Sequence, residues 1–245
     1  MGKKIQLKDV TFVVPLRIES AYRKLNLDTL ISLLCRDFDS NIMVLEADLN
    51  PLYISSEHDK TITYHFVKDE DPIFHRTKYI NKLLESANTK FVGVWDTDAI
   101  LYPQQIEDSV NILRKGSSTM VLPYDGKAYE LDNSLSNLFR KTRDYLLLQN
   151  IEKALPLMYG YHSVGGAFFI NRQNYIDSGG ENEKIYGWGP EDVERVKRME
   201  TLNSPVDRVQ GSLFHLWHPR DKNSIPANKT IKKNNIKELV RVCSI

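Results

Sequence analysis

Two aspartates separated by one residue follow an apolar run in the first half of the chain. The segment 90–95 (KFVGVW) predicts a buried strand, and Asp96 and Asp98 come directly after it. In an open α/β sheet, ligands bind beyond the carboxyl ends of the strands. Carboxylates at that place suit a hard divalent cation, Mg²⁺ or Mn²⁺, which in turn binds phosphate oxygens. Asp-x-Asp also occurs in ordinary polar turns, so its position after a strand is what indicates a metal site.

A pair of histidines later in the chain supplies further candidate metal ligands. His215 and His218 lie three residues apart among apolar residues. Imidazole nitrogens are common ligands of divalent metals. The alternative interpretation is one buried structural histidine and one surface histidine. We expect at least one of the two to bind a metal, His218 before His215.

Glycine, tryptophan and two carboxylates are combined in residues 186–192 (YGWGPED). The glycines beside Trp188 allow a tight backbone and leave the indole open as a platform for the face of a sugar. Glu191 and Asp192 begin a predicted helix, where acidic side chains also complement the helix dipole. The dipole does not explain Gly-Trp-Gly. Because a base must lie within hydrogen-bond reach of the hydroxyl it deprotonates, a carboxylate beside a sugar platform predicts a catalytic base.

Cationic side chains occupy two earlier positions. Arg17 follows the first predicted strand in Pro15-Leu16-Arg17, where a guanidinium can bind a diphosphate or a base edge or else face solvent. The segment 74–78 (FHRTK) begins a predicted helix, and positive charge at that end opposes the helix dipole. Because this placement is unfavourable for the helix, it indicates that the cationic side chains have a function, such as binding phosphate.

The elements that position these residues alternate along the chain, which predicts an α/β fold with helices on the faces of one continuous sheet. Gly189-Pro190 marks the start of the last helix within the domain, with proline suited to the first turn. The predicted strands are 11–15, 41–46, 61–66, 90–95, 119–122, 165–170 and 213–217, and the predicted helices are 20–38, 76–87, 104–115, 135–153 and 190–202.

The composition indicates a single domain over residues 1–245. It would have a nucleotide-binding half at about 10–103, an acceptor half at about 104–220 and a basic tail at 221–245. Lys plus Arg total 33 against 32 Asp plus Glu, so no strong field favours nucleic acid as a partner. Two cysteines give no disulfide framework, and no run approaches the roughly 20 apolar residues of a membrane span. We therefore expect a cytoplasmic protein.

The tail, residues 228–245, mixes lysines with apolar residues. One interpretation is a basic amphipathic helix that contacts the inner face of a membrane. The interpretation that we favour is a terminal helix that packs on the domain with its basic face in solvent.

Taken in order, these motifs resemble those of the β-1,4-galactosyltransferase family and its bacterial relatives, including transferase domains of the chondroitin-polymerase type. The order is Pro-x-Arg, Phe-x-Arg-x-Lys, Asp-x-Asp, Gly-Gly before a strand, Gly-Trp-Gly-x-Glu-Asp and a late histidine. The resemblance covers about 10–220, and residues 164–194 are its most specific part. It implies a GT-A fold with a mixed central sheet. It also implies an inverting hexosyltransferase that moves Gal, GalNAc or a related sugar from UDP to an oligosaccharide or lipid-linked glycan in a surface-polysaccharide pathway.

The resemblance also implies roles for single residues. Asp192 corresponds to the catalytic base, and Asp98, His215 and His218 correspond to ligands of Mn²⁺ or Mg²⁺. The predicted acceptor and sugar contacts are Trp188, Gly189 and Glu191. The predicted donor contacts are Pro15, Arg17, Phe74, Arg76, Lys78, Asp96 and Gly166. The chain departs from the family pattern at Pro190, where a glycine is usual, and at Val193, where a further acid is common.

Two other classes of protein share parts of this pattern. A metal-dependent hydrolase or nucleotidyltransferase can use the same Asp-x-Asp, but nucleotidyltransferases often carry a glycine-rich loop after the first strand. Here residues 15–20 (PLRIES) contain no glycine. A non-catalytic carbohydrate- or nucleotide-binding protein has no need for paired carboxylates beside a histidine pair.

Overall fold

The computed structural model describes residues 3–53, 62–159, 162–220 and 223–244. Its strands are β1 (Ile5–Leu16), β2 (Phe38–Asp48), β3 (Ile62–Lys68), β4 (Phe91–Trp95), β5 (Ala99–Ile100), β6 (Met120–Leu122), β7 (Ala128–Glu130), β8 (Ala167–Asn171), β9 (Val206–Arg208) and β10 (Leu213–His215). Its α-helices are α1 (Ala21–Asp37), α2 (Arg76–Ser86), α3 (Pro103–Lys115), α4 (Asn133–Thr142), α5 (Tyr145–Ile151), α6 (Arg172–Asp177), α7 (Glu191–Thr201) and α8 (Lys229–Cys243), with a 3₁₀ turn at Glu152–Ala154.

A seven-stranded sheet forms the centre of the molecule, in the order β3-β2-β1-β4-β8-β6-β9. The strand β1 is parallel to β2 and β4, whereas β8 is antiparallel to β4 and β6. Residues 10–16 of β1 are all buried, as expected for a central strand with both faces covered. The predicted α/β class with a mixed sheet is therefore confirmed. Because β1 and β4 are parallel neighbours, the residues that follow them meet at one edge of the sheet.

A second, three-stranded sheet lies beyond that edge, in the order β5-β10-β7. The prediction of one continuous sheet is therefore wrong. After β4 the chain turns, with the Asp96 backbone N–H donating to the Gly166 carbonyl at 2.8 Å, and Ala99 then pairs with His215 in antiparallel register. Strands of two or three residues are too short to show an alternating pattern in the sequence. This small sheet brings His215 next to the Asp-x-Asp turn.

The predicted helix 135–153 is divided into α4 and α5. Arg143 ends α4 with a left-handed backbone (φ 51°), and the Asp144 carboxylate accepts from the Leu146 N–H at 2.9 Å to cap α5. An aspartate that can satisfy a free helical N–H favours a new helix start over a continuous helix. Pro190 lies at the N-cap of α7, one position before the first helical turn in which the sequence placed it.

A cluster of aromatic rings in the core supports the turn that follows β4. Phe12, Trp95 and Phe169 pack edge to face with ring centroids 5.4–5.8 Å apart. All three are at most 1% exposed, and each buried ring stabilises the fold by about 1.5–3 kcal/mol. The Trp95 indole N–H donates to the Ala99 carbonyl at 2.9 Å, so the core directly braces the turn that carries the two aspartates.

The C-terminal helix α8 packs against α7, and its lysines at positions 229, 232, 233 and 237 are exposed. The structure thus agrees with the favoured interpretation of the tail, a terminal helix that packs on the domain with its basic face in solvent. In the part of the chain that the structure describes, none of the helices combines the length and apolarity needed to cross a bilayer. Contact of the tail with a membrane surface stays a prediction.

Candidate active site

Asp98, His215 and His218 form a compact cluster. Asp98 Oδ1 lies 3.5 Å from His215 Nε2, and Asp98 Oδ2 lies 3.2 Å from His218 Nε2. One ligand atom from each residue lies within 4.8 Å of the others. Two ligands of one transition-metal cation are separated by at most about 4.2 Å when each bond is near 2.1 Å. A carboxylate and two imidazoles at these distances therefore fit a divalent cation such as Mn²⁺ after a small closure.

The electrostatics of the cluster favour the protonation states that bind metal. Burial alone would raise the pKa of Asp98, but His215, His218 and Arg23 outweigh burial and lower it. Burial lowers the pKa of His215. For His218, the hydrogen bond with Asp98 outweighs burial and raises its pKa. An ionised Asp98 and a neutral His215 are the forms that coordinate metal, and a bound cation would displace the proton of His218.

Backbone contacts from the small sheet hold the cluster. The Leu216 N–H donates to the Asp98 carbonyl at 2.8 Å, and the Trp217 N–H donates to Ser136 Oγ at 2.8 Å. The Trp217 ring packs edge to face on Tyr22 at 4.8 Å. The histidines therefore flank a backbone segment that is fixed on both sides, which preorganises them for ligation.

Arg76 links the Asp-x-Asp turn to Asp192 of the glycine-tryptophan motif. Its Nη2 and Nε donate to Asp96 Oδ1 at 2.7 and 3.1 Å, and its Nη1 lies 3.7 Å from Asp192 Oδ1. Burial opposes its charge, but Asp96 and Asp192 outweigh burial and raise the pKa of Arg76. The two carboxylates therefore compensate for a cation at the start of α2.

Asp192 lies in the first turn of α7 and is held by a buried arginine. Its Oδ1 accepts from Arg195 Nη1 at 2.8 Å. Arg195 also donates to both oxygens of Glu181 at 2.7 and 2.8 Å, and both side chains of that pair are 1% exposed. A Cβ on Gly165 would lie 2.4 Å from Asp192 Oδ2, so only glycine lets the carboxylate rest against this backbone. The orientation of Asp192 is thereby fixed.

Glu191 is 9% exposed, and its Oε2 accepts from the Gly189 N–H at 3.1 Å. Burial, and then the charge of Asp192, raise the pKa of Glu191 to about 8. At neutral pH its carboxyl group is therefore mainly protonated and can donate a hydrogen bond. A protonated Glu191 can therefore serve a role in a reaction different from that of its neighbour Asp192.

One cavity collects most of the predicted residues. Trp188, which is 43% exposed, stands at its wall. The predicted residues that line this cavity are Pro15, Arg17, Phe74, Arg76, Asp96, Asp98, Gly166, Trp188, Glu191, Asp192, His215 and His218. Lys78 is exposed and does not line it, and its ammonium lies 5.7 Å from the centre of the Tyr79 ring. Gly189 does not line it either and instead approaches Asn235.

Arg17 lines the cavity, but its guanidinium is bonded to other protein groups, whereas the sequence predicted a contact with the donor. Its Nε donates to the Ala47 carbonyl at 2.9 Å, its Nη1 to the Asp71 carbonyl at 2.8 Å and its Nη2 to Asp69 at 2.7 Å. The side chain is 7% exposed. Three of the five N–H groups of a guanidinium are thus used within the protein. Arg17, which lines the cavity, thereby orders the 69–71 loop.

Several site residues were not found from the sequence. Arg23, whose Nη1 lies 3.6 Å from Asp98 Oδ2, gave no signal because its motif is an ordinary helix start. Arg195 lies three residues after Asp192, a spacing that places both on one helix face and that could have identified it. Glu130, Met158 and Tyr159 line the far wall, and only the fold brings them there.

A mixed α/β sheet, with a metal-type cluster and the Asp192 carboxylate lining one cavity, is the arrangement expected of the predicted GT-A fold. Residues 149–221 match the family model described as the N-terminal domain of galactosyltransferase. The sequence comparison with curated proteins found no match. The predicted resemblance to the galactosyltransferases, and with it the assignment to glycosyltransferases, is confirmed by the family match and the fold.

Solved structures of three transferases are similar to the chain. The catalytic domain of Drosophila β-1,4-galactosyltransferase 7, in complex with xylobiose, has a TM-score of 0.57 at 17% identity, over 95% of this chain and 79% of that one. Glucosyl-3-phosphoglycerate synthase from Mycobacterium tuberculosis, with Mn²⁺, UDP-glucose and phosphoglyceric acid, has a TM-score of 0.55 at 17% identity, over 96% of this chain and 80% of that one. A mannosyltransferase from Pyrobaculum calidifontis, with GDP-mannose and Mn²⁺, has a TM-score of 0.54 at 14% identity, over 86% of this chain and 58% of that one. Two of these structures hold Mn²⁺, in agreement with the predicted divalent cation.

Proposed function

We propose that this chain is an inverting, metal-dependent transferase. It would move a hexose or N-acetylhexosamine of the Gal or GalNAc type from a UDP-sugar to a hydroxyl of an oligosaccharide or lipid-linked glycan. The observation that carries the proposal is that the metal-type cluster of Asp98, His215 and His218 shares one cavity with Asp192 and Trp188. A binding protein needs neither a cation site nor an oriented carboxylate opposite it.

On the donor side, Asp98, His215 and His218 would hold the divalent cation against the diphosphate. A bound cation supplies Lewis-acid chemistry that neutralises the charge growing on the leaving nucleotide. The guanidinium of Arg76, fixed by Asp96, adds positive charge at the same edge of the sheet.

On the acceptor side, Asp192 would accept the proton of the attacking hydroxyl. Arg195 fixes the direction of its carboxylate, so the acceptor oxygen approaches an oriented base. Glu191, protonated at neutral pH, can donate to a sugar oxygen while Asp192 accepts. The exposed indole of Trp188 offers a face against which a pyranose ring can stack.

The uridine nucleotide and the Gal-type sugar rest on the family resemblance, and two solved transferases of the same fold carry UDP-glucose or GDP-mannose. The decisive experiment is a thermal-shift series with UDP-Gal, UDP-GalNAc, UDP-glucose and GDP-mannose, each with and without Mn²⁺. A ligand at about 100 times its Kd stabilises the folded state by about 2.7 kcal/mol.

We expect a UDP-sugar to raise Tm only when Mn²⁺ is present. The donor identified in this way is then incubated with oligosaccharide acceptors, and NMR of the product reports the anomeric configuration. Retention of configuration contradicts the single displacement, and a metal-independent shift contradicts the assignment of the cation site.

A further inference from the structure

Asn235 is a buried amide on a helix that is mostly exposed. It is 1% exposed, and with Val242 it is one of the two buried residues of α8. Burying an amide group is unfavourable unless its donors and acceptor are all bonded. The partners of this side chain therefore show what α8 is placed to do.

All the partners of Asn235 are backbone groups of the glycine-tryptophan segment. Its Oδ1 accepts from the Tyr186 N–H at 3.1 Å, and its Nδ2 donates to the carbonyls of Tyr186 at 2.9 Å and Trp188 at 3.4 Å. A Cβ on Gly189 would lie 2.6 Å from Asn235 Nδ2, so the segment and the helix approach as closely as a glycine permits. The amide pairs with Tyr186 as a neighbouring strand would.

We propose that Asn235 is a positioning residue that sets Trp188 at the acceptor side of the cavity, which makes α8 a part of the active site. This inference rests on the proposed function. Trp188 is 43% exposed, so the protein packs against only part of it, and the place of its indole depends on the backbone that carries it. The match to the galactosyltransferase family model ends at residue 221, before α8 begins.

Further contacts make the effect specific to the acceptor side. Glu238, also on α8, accepts from Asn182 Nδ2 at 3.0 Å, so the helix holds this loop at two points. The metal-type cluster lies on β10 and on the turn after β4, and Arg76 lies on α2. Releasing the loop from α8 should therefore change acceptor binding more than nucleotide binding, because Tyr186 of the same loop keeps its own bond to Asp71 at 2.5 Å.

The test compares Asn235→Ala and Asn235→Asp with the matched control Asn234→Ala, which changes the exposed preceding residue of the same helix. Asn235→Asp keeps the shape and the acceptor oxygen but loses both donated bonds. For both Asn235 variants we expect the acceptor KM to rise about tenfold while the donor KM stays within about twofold of the control. Thermal unfolding is followed in parallel.

A second measurement does not depend on activity. Lys184 is an exposed tryptic site within the loop, and a released loop should be cleaved there about fivefold faster in the Asn235 variants than in the control. Equal cleavage rates, or equal changes of the donor and acceptor KM with a lowered Tm, would overturn the proposal. If the wild-type protein transfers no sugar, the proposed function fails, and the cleavage rates alone still decide whether Asn235 holds the loop.

Discussion

Arg195 is the residue whose replacement tests the electrostatics of the site most sharply. Replacing it by Met removes two bonds to Glu181 and one to Asp192, and leaves the Glu181 carboxylate in a position where its side chain is 1% exposed. Breaking a buried pair in this way costs about 3–5 kcal/mol, against a total stability of about 5–15 kcal/mol for a domain. We expect the urea midpoint of Arg195→Met to fall by about 1–2 M.

Adding Glu181→Gln to Arg195→Met gives a double variant that distinguishes the cost of an unpaired buried charge from the cost of lost packing. In the double variant no unpaired charge remains, and Tyr175, which donates to Glu181 at 2.6 Å, can still bond to the glutamine. The double variant should therefore regain at least half of the lost stability. Its turnover should stay low, because Asp192 has lost its 2.8 Å bond to Arg195.

The stability of the wild-type protein and that of Arg195→Met should change in opposite directions as the pH falls. Burial would raise the pKa of Glu181, but Arg195 outweighs burial and lowers it. In the wild-type protein this contribution to stability is present above the ordinary pKa near 4.5 and is lost as the pH falls through the lowered folded value. In Arg195→Met, burial dominates, so acidification from pH 7 to 5 should stabilise the variant. A loss below about 1 kcal/mol at pH 7, or no such inversion with pH, would refute this account.

Three further predictions concern the site itself. Asp192→Asn should lower kcat by about 10²- to 10⁴-fold while nucleotide binding in a thermal-shift assay is unchanged; near-normal turnover contradicts its role as the base. His218→Ala should abolish Mn²⁺ binding in calorimetry, whereas His65→Ala, which changes an exposed histidine on β3, should not; equal affinities exclude the proposed ligand set. Because the pKa of Glu191 is raised to about 8, its contribution to stability is present below its ordinary 4.5 and is lost as the pH rises to about 8. Glu191→Gln should therefore stabilise the fold relative to wild type at pH 9 more than at pH 5, and a parallel pH profile in urea unfolding would refute this.

The sequence was most informative where chemistry and chain order coincide. Asp96 and Asp98 follow a buried strand, and the rule that ligands gather at strand ends was sufficient to place them. His215 and His218 were identified by type and spacing, and β10, which carries His215, lies within the predicted strand 213–217. Its pairing with Ala99 was not predicted, because the partner of such a short strand is distant in the chain and a local pattern does not identify it.

Charges that serve the site through other side chains were harder to predict. Arg17 was expected to face a ligand, yet its partners at positions 47, 69 and 71 come from β2 and from the loop after β3. Asn235 looked like one polar residue of a basic helix, and only the packing of α8 shows that it bonds the 186–188 backbone. Lys78 was placed in the site by its motif, and its helical position turns it to solvent.

The three ligands of the metal-type cluster come from two segments far apart in the chain. Asp98 lies between β4 of the large sheet and β5 of the small sheet, whereas His215 belongs to β10 and His218 follows it. An ion that binds all three ligands would therefore cross-link the β4–β5 turn to β10, and its binding energy would become part of the cohesion of the molecule. The small sheet has only eight residues in its strands β5, β7 and β10 (2, 3 and 3). The stability of this pairing would then depend on the free metal concentration in the surrounding solution.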